Sequence, residues 1–531
     1  MPRTTQTKGT SAARNQTRPP RRPHHRLRCR SSRCGSMSAS CSAGVSALAV
    51  LRLAGASLLI ALVVLQCQCG EAWLDRQRSW AGVTRKDQVE LPLYLTPYMV
   101  QGRVRDARER SRVGTIDGSP DIESYAGFLT VRERQLNHLF FWFFPAIKKH
   151  SGSASPLVLW LQGGPGAPSV MGALVEHGPL RAVADGTATF RAHTWTQEAS
   201  VVYVDQPVGT GFSHSHDGVD DHWYCANASD AAADLYEFMG QFCVIFAAEC
   251  HSADFFIAAE SYAAKFALAL ATMMNMMRDE DSQPRLKGLV LASPFVDPEN
   301  QLDNSELLHQ TGFLTDAQAA LLWEQYNRVA RLIRRGNYTA AKDLLEDIID
   351  GNPTVSTTLF GNLTGLRQAY DLDLTHPPAI FTVYEEFVER AEVRRALHVG
   401  RRLVFMADGD AVTHNMYADI LVSYKHQLAD LLDQDLKVLV YGGQKDLITP
   451  FSSVERFMKT LNWKGQREYA TTPRLPWRLG TDQVLGYYRH VHNYTEVLVR
   501  GAGHVTAFDK PKEVLALVTR FIYGAPIEDA R

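Results

Sequence analysis

The sequence predicts an α/β fold: a mostly parallel sheet with helices on both faces. Three observations predict it. First, residues 156–161 (PLVLWL), 199–204, 286–291 (LKGLVL), 436–441 (LKVLVY) and 495–499 (TEVLV) are apolar runs of strand length. Such runs mark strands buried on both faces, as in parallel sheets. Second, helical patterns separate the strands. In 229–246, Leu235, Phe238, Met239, Phe242, Ile245 and Phe246 recur at spacings of three and four, which makes one apolar helix face. Third, residues 253–267 (ADFFIAAESYAAKFA) run from an apolar strand through a serine into a helix without a break. Strands alternating with helices build βαβ units, hence a parallel sheet.

In chain order, residues 123–131 (ESYAGFLTV) and 136–145 (LNHLFFWFFP) read as an aromatic-rich hairpin. The strand at 156–161 ends in Gln162-Gly163-Gly164-Pro165-Gly166. A glycine-rich loop at the carboxyl end of a strand exposes backbone N–H groups where open α/β sheets place their ligands. The strand at 199–204 closes in Asp205-Gln206-Pro207-Val208-Gly209-Thr210-Gly211, and Ser229 or Asp230 is the expected cap of the helix that follows. At 253–267 the serine is Ser261, with the small residues Ala259 and Ala263 two positions to either side. Strand, sharp turn with a serine at its apex, then helix is the outline of a nucleophile elbow, although G-x-S-x-G is not strictly met. Between about 298 and 432 strand patterns almost vanish and helical periodicity takes over, notably in 315–335 and 338–350. This reads as a helical insertion on the α/β scaffold.

The net charge of −1 hides an asymmetry. Residues 1–70 hold ten arginines, Lys8 and no acid, a charge of +11, so residues 71–531 hold 45 basic and 57 acidic residues, a charge of −12. An acidic body argues against nucleic acid as a partner. The basic head leads into a 13-residue apolar run at 53–65 (LAGASLLIALVVL), flanked by Arg52. That length suits a signal-peptide core better than a bilayer span. Residues 1–72 are therefore expected to be a basic leader and signal peptide, with Met37 an alternative start, and residues 73–531 the catalytic domain. No stable membrane insertion is expected after cleavage. Five of the eight cysteines lie in the leader; Cys225, Cys243 and Cys250 remain, enough for one bridge and one thiol. Sequons at Asn227, Asn337, Asn362 and Asn493 fit the secretory pathway, with a secreted or lysosomal destination.

The last two strands each end near a residue with catalytic chemistry. Asp446 follows Tyr441-Gly442-Gly443-Gln444-Lys445, and His504 follows Gly501-Ala502-Gly503. The order Ser261, Asp446, His504 is that of α/β hydrolases. A serine hydroxyl needs a base to take its proton, and the base needs an acid to fix its tautomer.

The blocks LFFWFFPA, LVLWLQGGPG, VEHGP, VYVDQPVGTGFS, ESYAAKF, WKGQREY, GAGHV and FIYG occur in that order from about residue 90 onward. With them the chain resembles the serine carboxypeptidases, most of all the vitellogenic-like carboxypeptidases of animals. The resemblance implies an α/β-hydrolase fold and removal of C-terminal residues from peptides through an acyl-enzyme, favoured at acidic pH. It implies that Gln162, Glu260, Glu176 and Trp160 bind the substrate's terminal carboxylate, and that the N–H groups of Gly164 and Tyr262 form the oxyanion hole. It implies no metal or organic cofactor, names peptide or protein C-termini as substrate, and leaves room for a homodimer. Departures from the family pattern are Ala259 and Ala264, where glycines are usual, Ala167 in place of a frequent cysteine, and the strand end Ala292-Ser293-Pro294. Two further readings fit the same residues: a non-catalytic protective or scaffold protein of this fold, and an acyltransferase acting on a small acceptor.

Overall fold

In the computed structural model, residues 91–528 are described, apart from 117, 133–136, 149–153, 216–223, 278–281, 351–357 and 481. The expected leader and the alternative start at Met37 lie outside the described residues.

Ten strands form one sheet: β1 (Tyr125–Val131), β2 (Asn137–Phe144), β3 (Leu157–Leu161), β6 (Ser200–Val204), β7 (Phe255–Glu260), β8 (Leu286–Ala292), β9 (Lys437–Gly443), β10 (Leu475–Trp477), β11 (Gly486–Val491) and β12 (Tyr494–Val499). Two short strands, β4 (Leu180–Ala182) and β5 (Ala188–Phe190), pair separately. The order across the large sheet is β1-β2-β6-β3-β7-β8-β9-β12-β11-β10. The middle, from β6 to β12, is parallel. The edges are antiparallel hairpins: β1 with β2 on one side, β11 with β12 and β10 on the other.

Alternation along the strands divides the core into two halves. In β3, Leu157, Leu159 and Leu161 face one half, and Val158 and Trp160 the other. On the first face, helix α1 (Ala228–Ile245) packs beside α2 (Ala263–Met277). Asn227 caps α1: its side chain accepts from the Asp230 N–H at 3.0 Å. The expected cap at Ser229 or Asp230 is thus corrected. Asn227 keeps an extended backbone just outside the helix, and its side-chain oxygen reaches the third N–H of the first turn. On the other face lies α5 (Pro511–Ile522), whose Phe521 meets Phe256 of β7. Between β8 and β9 the described residues form helices and turns, among them α3 (Asp316–Arg334) and α4 (Tyr338–Leu345). Thr315 and Gln318 close a capping box on α3. Within this stretch Met406 makes one isolated bridge with Gly211.

Cys243 and Cys250 form a disulfide at the end of α1, and Cys225 is a buried thiol. No helix among the described residues is long and apolar enough to cross a membrane.

The register of the parallel strands positions the site. Glu260 pairs with Ala292, Ala292 with Tyr441, and Gly443 with Val499. The carboxyl ends of β7, β8, β9 and β12 are therefore level, and the loops that leave them share one edge of the sheet. This is where open α/β sheets bind ligands.

Candidate active site

Ser261 stands between β7 and α2 with φ +58°. Left-handed backbone is uncommon outside glycine, and such strain persists only where the surroundings over-determine it. Here they do. The Ser261 N–H donates to the Ala292 carbonyl at 3.0 Å, and its carbonyl accepts from the Phe295 N–H at 3.0 Å. Gly163 presses on the turn from outside: a Cβ built there would lie 2.7 Å from the Glu260 carbonyl oxygen and 2.9 Å from Ser261 Cβ. Ser261 is partly exposed, while Glu260 and Tyr262 on either side are buried.

Ala259, Ala263 and Ala264 are fully buried around the elbow. Tyr262 is fixed from beneath. Its hydroxyl donates to Asp419, which also accepts from Tyr424 at 3.0 Å. The buried Lys265 ammonium donates to the carbonyls of Asp419, Ile420 and Val422 at 2.7–3.1 Å. The helical stretch thus grips the first turn of α2 through a polar cluster that leaves the Tyr262 N–H uninvolved. The N–H groups of Gly164 and Tyr262 carry no intramolecular hydrogen bond among the described residues. Gly164 adopts φ +108°, and a Cβ there would lie 2.8 Å from the N atoms of Gly166 and Ala167, so glycine is required.

The structure places Asp446 and His504 together. His504 Nδ1 lies 2.8 Å from Asp446 Oδ2. Asp446 also accepts from the N–H groups of Ile448 and Thr449 at 2.8 and 3.0 Å, and from the Thr449 hydroxyl at 2.8 Å. An acceptor facing Nδ1 assigns the proton to that nitrogen and leaves Nε2 as the lone-pair site of the neutral ring. No direct hydrogen bond joins Ser261 Oγ to His504, and hydrogen bonds of this kind are often looser without substrate. Both residues are tied to one short stretch. Ala292 and Phe295 bond Ser261, and Ser293 Oγ donates to the His504 carbonyl at 2.8 Å.

Gln162, Glu176, Glu260 and Trp160 also come together. Trp160 Nε1 donates to Gln162 Oε1 at 2.8 Å, and Gln162 Nε2 donates to Glu260 Oε1 at 2.8 Å. Glu176 closes a π-turn, Gly172–Glu176, packed on Trp160; any side chain at Gly172 would collide with the indole. Glu260 Oε2 and both Glu176 oxygens are buried without a hydrogen bond of regular geometry. Burial pushes Glu176 up to about 7, with Gln162, Glu260, Arg191 and His504 pulling it down. Burial pushes Glu260 well above the ordinary glutamate range, and the Glu176 carboxyl adds to it, with Asp446 a lesser contributor. Two carboxyls that resist ionisation can donate hydrogen bonds to an anion.

Four residues at the site are given no role by the sequence alone. Thr449 and Ser293 brace the acid and the base. His177 lies face to face with Trp195, its ring centroid 4.0 Å away, and its Nδ1 is 3.0 Å from the Tyr203 hydroxyl. Burial holds its pKa well below the ordinary value, so it packs edge-on against Trp160 as a neutral ring. Its place inside VEHGP was the available signal. Tyr370, from the helical stretch, lies beside His504.

The sequons differ in their surroundings. Asn337 and Asn362 are exposed, and Asn227 caps α1. Asn493 is held by its amide nitrogen, which donates to the carbonyls of Leu432 and Leu436 at 3.0 and 2.5 Å.

A family model described as serine carboxypeptidase matches residues 114–524. A human probable serine carboxypeptidase CPVL is 36% identical over 437 residues, 82% of this chain and 90% of the human protein. The venom serine carboxypeptidase of Apis mellifera is 36% identical over 445 residues, covering 83% and 92%. The vitellogenic carboxypeptidase of Aedes aegypti is 31% identical over 474 residues, covering 88% and 98%. Among solved structures, the prohormone-processing carboxypeptidase Kex1 of Saccharomyces cerevisiae superposes with a TM-score of 0.68 at 21% identity, covering 78% of this chain and 96% of that one, and shares the fold.

Proposed function

The chain belongs to the serine carboxypeptidase family, and from that premise we propose that Ser261, His504 and Asp446 are its catalytic residues. The protein is a hydrolase that removes C-terminal residues from peptides. The observation that carries the assignment is the 2.8 Å pairing of His504 Nδ1 with Asp446 Oδ2 at the same sheet edge as the strained Ser261.

Neutral His504 takes the proton of Ser261 Oγ at Nε2 as the oxygen attacks the last peptide carbonyl. Asp446 holds the ring and stabilises the imidazolium. The oxyanion meets the N–H groups of Gly164 and Tyr262, which have no other partner to give up. His504 then protonates the leaving amine, the terminal amino acid departs, and the acyl group remains on Ser261. Water then attacks the acyl carbonyl as His504 takes its proton, the bond to Ser261 Oγ breaks, His504 returns the proton to that oxygen, and the shortened peptide leaves. The terminal carboxylate docks on Gln162, Glu260 and Glu176, with Trp160 orienting Gln162. A protonated glutamate pair donates to that anion, and so favours acidic working conditions.

The catalytic unit is read as residues 73–531 with the helical insertion at 298–432, and the product as a protein of the secretory pathway, secreted or lysosomal. The Cys243–Cys250 bridge supports an oxidising compartment.

The test is a fluorophosphonate probe together with a peptide mixture. Labelling should fall on Ser261, and mass spectrometry should show loss of single C-terminal residues. Labelling without shortened peptides would overturn the carboxypeptidase reading of the site.

A further inference from the structure

The loops that carry Asp446 and His504 leave different strands and meet directly where the Lys445 N–H donates to the Ala502 carbonyl at 2.8 Å, but that bond stops short of His504 itself. A segment of the helical insertion holds both loops from outside. The Leu447 N–H donates to the Ala369 carbonyl at 3.0 Å, the His504 N–H to the Tyr370 carbonyl at 2.6 Å, and the Leu372 N–H to the Lys445 carbonyl at 3.0 Å. The Lys445 ammonium adds an ion pair to Asp373 at 2.7 Å. Each contact falls on His504 itself or on a direct neighbour of Asp446.

The segment is braced as well. Gln368 Oε1 accepts from the Asp371 N–H at 2.9 Å, and its Nε2 donates to the Asp371 carbonyl at 2.6 Å. Gly503 lies flush against it: a Cβ there would be 2.8 Å from Asp371 Cβ and would collide with the Tyr370 carbonyl. The Tyr370 ring stands edge-on to His504, centroids 5.9 Å apart, and edge-on to Phe381 at 5.7 Å.

We propose that residues 368–373 are a positioning strap, through which the helical insertion sets the distance between acid and base, and that Tyr370 is the positioning residue for His504. His504 is then located by three independent holds: its N–H on Tyr370, its carbonyl on Ser293, and its Nδ1 on Asp446. A strap of this kind acts on the chemical step and leaves the terminal-carboxylate pocket alone. The proposal rests on the reading of Ser261, Asp446 and His504 as the triad.

The test uses the full chain and the variants Tyr370→Ala, Tyr370→Phe and Asp373→Asn, with thermal midpoints as folding controls. Because small misplacements of catalytic groups are costly, Tyr370→Ala should lower kcat and the rate of fluorophosphonate labelling by about tenfold or more with KM within about twofold. Tyr370→Phe, which keeps the ring that Tyr370→Ala removes, should retain wild-type kcat. Asp373→Asn, at an exposed position, should lower kcat about threefold with KM unchanged. Wild-type kcat and labelling in Tyr370→Ala, which keeps the backbone carbonyl, would overturn Tyr370 as the positioning residue, and a loss confined to KM would overturn the strap. An equal loss in Tyr370→Phe would overturn the role of the ring. If Tyr370→Ala fails to fold, unchanged labelling of Asp373→Asn overturns the proposal. Failure of the triad reading is separable, because Ser261→Ala would then still turn over substrate.

Discussion

Ser293 Oγ donates to the carbonyl of His504 at 2.8 Å, while its own carbonyl lies 3.0 Å from the Thr449 hydroxyl, whose single proton it shares with Asp446 at 2.8 Å. Ser293 does this from a left-handed backbone, φ +41°, at the end of β8. One residue thus touches the supports of both base and acid, and its neighbour Ala292 holds the N–H of Ser261. Ser293→Ala should cost about 1 kcal/mol of stability, the net worth of one hydrogen bond, and lower kcat more than it raises KM. Denaturant unfolding and steady-state kinetics check this. Wild-type kcat in a variant with the expected loss of stability would show that the tether serves folding alone.

Ser261→Ala should lower turnover by on the order of 10⁶ and leave the thermal midpoint near that of the wild type. The hydroxyl makes no hydrogen bond to His504, so its loss orphans no buried partner. Residual turnover within tenfold of the wild type would remove Ser261 from the mechanism.

Lys265 makes a stability prediction. Its ammonium is buried among the rings of Tyr262, Phe295 and Tyr424 and satisfies three backbone carbonyls. Lys265→Met fills the space but leaves those carbonyls without their donor, at roughly 1–3 kcal/mol for each one that water does not reach. The variant should unfold at clearly lower denaturant concentration. An unchanged midpoint would show that the carbonyls find other donors.

Glycosylation should separate the four sequons. A glycan on an asparagine leaves its amide nitrogen one N–H, and Asn493 uses that nitrogen for two carbonyls, those of Leu432 and Leu436. Asn337 and Asn362 are exposed. Glycopeptide mapping of exported protein should find glycans at Asn337 and Asn362 and none at Asn493. A glycan at Asn493 would show that the residue is modified before β12 docks.

The sheet was legible because its central strands are buried on both faces and so appear as unbroken apolar runs. The edge was less so. β10 and β11 carry Pro476, Arg489 and His490 among their hydrophobic residues, and with one face half exposed they lack such a run. The chain order of Ser261, Asp446 and His504 was readable because each follows a strand. Their supports were not. Ser293 acts on His504, 211 positions away, by a side-chain bond to a backbone carbonyl, and Tyr370 meets His504 through its own carbonyl and its ring edge. Contacts of that kind depend on where the backbone lies, which residue identity does not encode. The cap of α1 shows the same limit at short range: Asn227, Ser229 and Asp230 are all good capping residues, and only the backbone angle at Asn227 selects among them.

The last prediction follows from the buried glutamates. Burial raises Glu176 to about 7 and lifts Glu260 well above the ordinary range. In the unfolded chain both release their protons near the ordinary glutamate value of about 4.3. Between that value and about 7 the folded protein therefore binds more protons than the unfolded one, and stability falls as pH rises. The thermal midpoint should drop across this window, and Glu176→Gln, which cannot ionise, should flatten the drop. Activity has the same window with a different signature. A protonated pair donates to the substrate's terminal carboxylate, and an ionised pair repels it, so KM for free-acid peptides should rise with pH. His504 acts in the opposite sense because it must be neutral to serve as base, and the observed profile belongs to the coupled set of groups. A peptide amide carries no terminal anion, so its kcat/KM profile should lie at higher pH than that of the matched free acid. Superimposable profiles for acid and amide would show that Glu176 and Glu260 do not read the terminal carboxylate, whatever Ser261 does to the bond beside it.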